Sequence, residues 1–221
     1  MKEAVARKQI ENIFKKYNHL PKGGGGQLAG ITGGKLYELY VLSHVVERLH
    51  KWGFSLKFIG NTLKFKASPG KIKLSDPHFE ITPPHPNSQK SLWLFVDIEF
   101  ETLGTPRVKA KDKSRHHEID IVVVDVDHGN PSFKNIFLGV ECKAVAKFRK
   151  GILKEVLGIR RELSLLSDPA RSLLSALTTT HLKAVPADPP SEYWLAHIDA
   201  AGDGYDDSPE AFGIDFIHLE P

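Results

Sequence analysis

The chain predicts an α/β domain whose mixed central sheet is flanked by helices on both sides. Segments with helical and strand periodicity follow one another in the order helix, strands, paired strands, helix, strands. Two strand-like runs, Ile121–Val124 and Ile136–Val140, are continuously apolar, as strands covered on both faces are. The short turn Asp127-His128-Gly129-Asn130-Pro131 separates them, which suits neighbouring strands.

Taken in order, Lys2 to Tyr17 reads as a short basic helix with Val5, Ile10, Ile13 and Phe14 as its apolar positions. Gly23-Gly24-Gly25-Gly26 follows as a flexible joint or turn. A strong helix is expected from about Gly34 to Trp52, ended by Gly53. Phe54–Ile59 and Thr62–Ala67 read as strands around the turn Gly60-Asn61. Pro69 to Lys90, rich in Pro, His and Ser, reads as a loop or irregular insertion, and Ser91–Glu101 as a mostly apolar strand. A basic stretch, Thr105–Ser114, leads into the paired strands His117–Val124 and Leu138–Lys143. A second helix is expected over about Lys150–Ser167, with Ile152, Val156, Ile159 and Leu163 on one stripe and Lys150, Lys154 and Arg161 opposite. Ser172–Lys183 fits helix or strand equally, and two late strands are expected at Tyr193–Ile198 and Phe212–Leu219. The expected organisation is a basic helix and Gly-rich joint over residues 1–33, then one domain over 34–221. That domain has a β-rich insertion at about 60–114 and acidic strands at 184–221.

A chain of 221 residues with 41% apolar and 26% charged residues suits one globular domain. No apolar run approaches the roughly 18–20 residues of a membrane span, and the start Met-Lys-Glu lacks an apolar signal core. The single cysteine, Cys142, excludes an internal disulfide. These features lead to the expectation of a cytoplasmic protein without a membrane partner. The net charge of +3 is unevenly spread: Ala184–Pro221 holds nine Asp/Glu and no Lys or Arg, so residues 1–183 carry all 30 basic and 18 acidic residues, a net of +12. A body this basic suits a polyanion such as nucleic acid, or is a solvated surface balanced by the tail.

Acidic residues interrupt runs that should tolerate none. Glu118 and Asp120 share one strand face, as do Glu141 and Lys143. If the strands are neighbours, Asp120, Glu141 and Lys143 converge at one sheet edge. Adjacent buried carboxylates repel, and a divalent cation with oxygen ligands, Mg²⁺ or Mn²⁺, relieves both costs. In the helix from Gly34, Glu38 falls near the centre of an apolar arc that includes Leu39, Val41, Leu42, Val45 and Leu49. A carboxylate there needs a partner: the same metal, or an internal ion pair with a Lys or Arg, Lys143 among them.

Gly34-Lys-Leu-Tyr-Glu38, Glu118-Ile-Asp120 and Glu141-Cys-Lys143, followed by an amphipathic helix, resemble the PD-(D/E)xK nuclease superfamily. The closest likeness is to the branch of Mrr-like restriction endonucleases and Holliday-junction resolvases. The resemblance spans about residues 34–167. It implies a restriction-endonuclease-like fold and a Mg²⁺-dependent nuclease that cuts phosphodiester bonds. In it Glu38 is the helix acid, Asp120 the metal-bridging acid, Glu141 the second ligand and Lys143 the catalytic lysine. It further implies DNA as partner, with RNA as the alternative, a homodimer, and a prokaryotic restriction, defence or repair setting. A nuclease-fold binding or scaffold subunit, dependent on a partner protein for targeting, is the competing expectation.

Basic residues flank the expected site in sequence. Lys109, Lys111, Lys113 and Arg115 precede the Asp120 strand, and Lys147, Arg149, Lys150, Lys154, Arg160 and Arg161 follow Lys143. Of these, Lys113, Arg115, Lys147, Lys150 and Lys154 are the expected backbone contacts to nucleic acid. Ala29-Gly30-Ile31-Thr32-Gly33-Gly34-Lys35-Leu36 fails as a phosphate loop, because Ala29 replaces the first glycine and Leu36 the Ser/Thr. The glycines instead let the first helix swing or let the chain approach DNA closely, and Gly33 and Gly34 open a helix whose N-terminus can hold a phosphate. His116 and His117 read as exposed polar residues, and Cys142 as a core thiol.

Overall fold

The structure is a computed structural model describing residues 1–66, 68–85 and 90–221. Its elements run α1 (Glu3–Lys16), α2 (Gly24–Leu28), α3 (Gly33–Lys51), β1 (Ser55–Ile59), β2 (His78–Thr82), β3 (Leu92–Glu101), α4 (Gly104–Val108), β4 (His116–Val124), β5 (Ile136–Lys143), α5 (Lys150–Leu163), β6 (Leu165–Arg171), β7 (Ala184–Asp188), β8 (Glu192–His197), α6 (Asp207–Glu210) and β9 (Ile214–His218). Seven strands form one sheet in the order β1-β2-β3-β4-β5-β8-β9. The first five are antiparallel, and β5, β8 and β9 are parallel. β6 and β7 pair in a separate ribbon. The protein is thus an α/β fold with a mixed seven-stranded sheet flanked by helices.

Two apolar layers hold it. α1 and α3 pack Ile10, Phe14, Leu42 and Val46 against Leu94, Ile121, Val123, Leu138 and Val140. On the other face α5 packs Val156, Ile159 and Leu163 against Phe95, Val122, Val124, Tyr193 and Leu195. Among the described residues no helix is long and apolar enough to cross a membrane.

The sheet has one irregularity that matters for the site. In β3, Leu94 and Val96 face the α3 layer, yet Ile98 and Phe100 face the α5 layer. In β4, Ile119 faces the α5 layer while Ile121 and Val123 face the α3 layer. Both strands change face at one rung, between the pairs Val96↔Ile121 and Ile98↔Ile119. The residues at that rung are Asp97, with φ +52°, and Asp120. Asp tolerates this left-handed conformation where Val or Ile would be strained. One left-handed residue inverts the alternation beyond it, as a one-residue register slip does.

Several expectations are corrected. Gly23–Gly26 is no flexible joint: Gly24–Leu28 is helical, with Gly24 and Leu28 buried. Nor does the first helix swing: Arg7 donates to the carbonyls of Leu28 and Ile31, and α1 contributes to the core. Thr62–Lys66 is irregular, and Ala67 lies outside the described residues. The partner of β1 is β2, a strand inside the segment read as a loop; residues 86–89 of that segment lie outside the described residues. The 60–114 segment therefore supplies two strands of the main sheet. The second helix stops at Leu163, and 165–171 is extended, consistent with Pro169, which a helix interior rejects. Ser172–Lys183 is neither helix nor strand beyond a 3₁₀ turn at Ser175–Leu177.

Candidate metal and nucleic-acid site

α3 opens at Gly33, whose φ of +59° only glycine adopts freely. Its N–H donates to Glu3 Oε1 at 3.1 Å. The carboxylate of α1 therefore closes this helix end, correcting the expectation of an N-terminus open to phosphate. The first turns of α3 then deliver Lys35 and Glu38 to the sheet at the Asp97–Asp120 rung.

One carboxylate oxygen each from Glu38, Asp97 and Asp120 lies within 4.8 Å of the others. Lys35 Nζ donates to Glu38 Oε2 at 2.6 Å and to Asp97 Oδ1 and Oδ2 at 2.7 and 2.8 Å. The ion pair considered for Glu38 thus exists, with Lys35 rather than Lys143. Asp120 Oδ2 accepts the Cys142 N–H at 2.7 Å, which ties β4 to β5 beside the acids. Glu141 is buried; its Oε2 lies 3.4 Å from Lys143 Nζ, and its Oε1 is buried with no hydrogen-bond partner. Lys143 Nζ also donates to Glu155 Oε1 of α5 at 2.7 Å.

The acids open into two clefts, Glu38 and Asp97 into one and Asp120 and Glu141 into the other. A cleft of about 400 Å³ on the α3 side is lined by Lys35, Glu38, Asp97 and Phe65. One of about 530 Å³ on the α5 side is lined by Asp120, Glu141, Lys143, Lys154 and Glu155. Glu99, Glu118 and Glu162 line the second cleft too, and Glu99 and Glu118 are register partners. With six carboxylates against Lys143 and Lys154, this cleft repels a phosphate unless a cation neutralises it.

The electrostatics follow from burial and crowding. Burial lifts Glu38 to about 7; the Lys35 hydrogen bond opposes this, and the Asp120 and Asp97 charges add to it. Burial also raises Asp120, against the Cys142 N–H and the Lys143 charge. Glu141 stands well above the carboxylate range, first through burial and then through Asp120. Burial acts to lower Lys143, but Glu141 and Glu155 outweigh it, so the ammonium is held more firmly than usual.

Glu38, Asp120, Glu141 and Lys143 all therefore reach one neighbourhood, on two sides of the sheet rather than at a single edge. Three participants were not anticipated. Asp97 carries the same signal as Asp120, a carboxylate between Val96 and Ile98 in an apolar run. Lys35 was legible as a partner of Glu38 at helical i,i+3 spacing. Glu155 had no signal beyond its place on α5. Of the expected nucleic-acid contacts, Lys154 lines the α5-side cleft. Lys147 and Lys150 are exposed where the chain enters α5. Lys113 and Arg115 are exposed ahead of β4, with Arg115 at 3.8 Å from Glu101. Arg160 is corrected: it is buried and donates to the carbonyls of Phe212 and Ser191. His117 is exposed, 3.7 Å from Glu162, and Cys142 packs against the α3-side core.

No known protein family, curated protein or solved structure matches this chain.

Proposed function

We propose that the protein is a metal-dependent nuclease of restriction-endonuclease-like fold that hydrolyses phosphodiester bonds in DNA. The observation that carries this reading is the meeting of Glu38, Asp97 and Asp120 within 4.8 Å at a rung where two strands change face together. The residues fit a hard divalent cation: oxygen donors are crowded, two of them are raised by burial, and Glu141 Oε1 is buried without a partner. Glu38, Asp97 and Asp120, the acids that meet, would hold Mg²⁺ or Mn²⁺, with Glu141 beside Asp120 on the α5 side. When bound, such an ion neutralises phosphate charge and lowers the pKa of a bound water.

The chain's own groups supply the rest. Lys143 faces the α5-side cleft, and its ammonium can stabilise charge developing on a phosphate oxygen once half-exposed Glu155 releases it. Lys154 stands at the same cleft for the flanking backbone. The Cys142 N–H fixes the Asp120 carboxylate, so that acid keeps its orientation with or without substrate.

A second reading is favoured by one observation: Lys35 already neutralises Glu38 and Asp97, and Lys143 is tied to Glu155. A nucleic-acid-binding or scaffold subunit that works only with a partner protein would look this way. Incubation of the purified chain with plasmid and single-stranded DNA under Mg²⁺ or Mn²⁺ separates the two. The nuclease reading expects cleavage that falls by about 10²–10³ or more in Asp120→Ala and Lys143→Ala. Binding without cleavage of DNA or RNA under either ion overturns it and supports the second.

A further inference from the structure

The two clefts at the acids differ in chemistry. Six carboxylates line the α5-side cleft. The α3-side cleft is mostly apolar: Leu39 and Leu42 of α3 line it, with Leu63 and Phe65 from the irregular segment after β1. Lys64 and Lys66 of that segment line it too. Glu38 and Asp97 stand at the same cleft, with the Lys35 ammonium between them.

The wall that carries the lysines is fixed in place. The Leu63 N–H donates to Gln27 Oε1 at 2.7 Å, which fastens the segment to α2. The Phe65 ring packs on Phe58 of β1, with centroids 6.1 Å apart. Lys66 Nζ lies 3.2 Å from Asp76 Oδ2 and donates to the Lys71 carbonyl. Phe65 is only half-buried and Lys64 is exposed. The wall therefore offers an aromatic surface beside a cation.

The volume of about 400 Å³ lies in the range of sites for small organic groups, roughly 300–1,000 Å³. A bare phosphate gains nothing from the leucines, and a purely apolar ligand gains nothing from the lysines. A nucleotide uses both, with its flat base on the aromatic and aliphatic lining and its phosphate at the cations. A base inside a duplex is paired and stacked, out of reach of such a cleft. We propose that the α3-side cleft holds the base of an unpaired nucleotide in a DNA strand. Phe65 is its stacking surface and Lys64 its contact to the backbone. The inference rests on the nuclease reading, which brings a phosphate to the acids, and it makes an unpaired strand the substrate class.

The test is anisotropy titration of end-labelled oligonucleotides with the full Asp120→Asn chain in Mg²⁺, which reads binding without turnover; Asp120 lines the other cleft. A single strand is expected to bind about tenfold or more tightly than the same sequence as duplex. Phe65→Ala should weaken strand binding about tenfold, and Phe65→Trp should keep it. Lys64→Ala should reduce the salt slope by about 0.7. On irradiation, a strand carrying 5-iodouracil should cross-link to Phe65, located by mass spectrometry. Equal affinity for strand and duplex, free dTMP bound as tightly as the strand, or strand binding unchanged in Phe65→Ala overturns the proposal. Duplex cleavage by the wild type with strand binding indifferent to Phe65 would sink this inference and spare the nuclease reading. Strand binding that depends on Phe65, without cleavage by the wild type, would do the reverse.

Discussion

In β4 and β5 the ends nearest their connecting turn are packed by apolar side chains alone: Val122, Val123, Val124, Ile136 and Leu138 are all fully buried. The opposite ends of the same strands carry Asp120, Glu141 and Lys143, with Glu141 as buried as its apolar neighbours. The β4–β5 ladder ends at Ile121↔Val140 and the β3–β4 ladder skips the Asp97–Asp120 rung, so beyond that point β5 is held by β8 and by the bond from Cys142 N–H to Asp120. The cost of holding the side chains differs too. The apolar end is stabilised by roughly 1.5–3 kcal/mol per buried side chain. The acidic end keeps carboxylates together against desolvation and mutual repulsion, offset by Lys35, Lys143 and the Cys142 N–H. A protein that tolerates such an end is spending stability on a site.

Three changes break or sharpen this contrast. The largest effect on folding is expected from Leu138→Ala at the apolar end, which leaves a cavity in the α3-side core. It should lower unfolding free energy by about 2–5 kcal/mol in urea titrations and leave divalent-ion affinity nearly unchanged. A parallel fall in metal binding would show that the two ends are not separable.

At the acidic end, Lys35→Met removes the resident cation from Glu38 and Asp97. Mn²⁺ should then bind about tenfold more tightly by calorimetry, since an ammonium no longer competes for the same oxygens. The apolar end should not respond, and near-UV spectra should be preserved. Unchanged or weaker Mn²⁺ binding would mean that Lys35 supports the site instead of competing for it.

The smallest effect concerns pH. Glu38 is lifted from its ordinary 4.5 to about 7, so the native protein binds this proton more tightly than the unfolded chain. The stability it contributes is complete below about 4.5 and is lost as the pH rises through about 7. Asp120 and Glu141 are shifted in the same direction. Wild-type stability should therefore fall between about pH 5 and pH 8, and Glu38→Gln should reduce that fall by about 1 kcal/mol, read from urea midpoints. An equal slope in the variant would place the proton elsewhere in the cluster. Added Mn²⁺ should raise the melting temperature more at the upper pH than at the lower, because the acids must shed protons to bind it.

The legibility of this site in the amino-acid order divides along the same line. Glu38, Asp120 and Glu141 stood out because each interrupts an apolar pattern of period 3.6 or 2, a local property of the chain. Asp97 does so equally, but in a segment whose role as a neighbour of β4 was hidden by the irregular 60–90 stretch. β2 escaped notice for a related reason: His78–Thr82 is flanked by prolines and reads as a loop until β1 and β3 flank it. Arg160 read only as one of the basic residues after Lys143, and it is buried by bonds to Ser191 and Phe212, residues 31 and 52 positions away.

The sequence by itself determined the apolar stripes of the long helices, the α/β class, and which acids had no ordinary place in a core. Those follow from side-chain periodicity and from the cost of burying charge, both readable within a few residues. Only the tertiary structure decided that β3 and β4 change face at one rung, that Lys35 reaches Asp97 across 62 positions, and that the acids divide between two clefts. Those outcomes depend on register and on one left-handed residue, and register is set by the packing of the whole sheet rather than by any single strand.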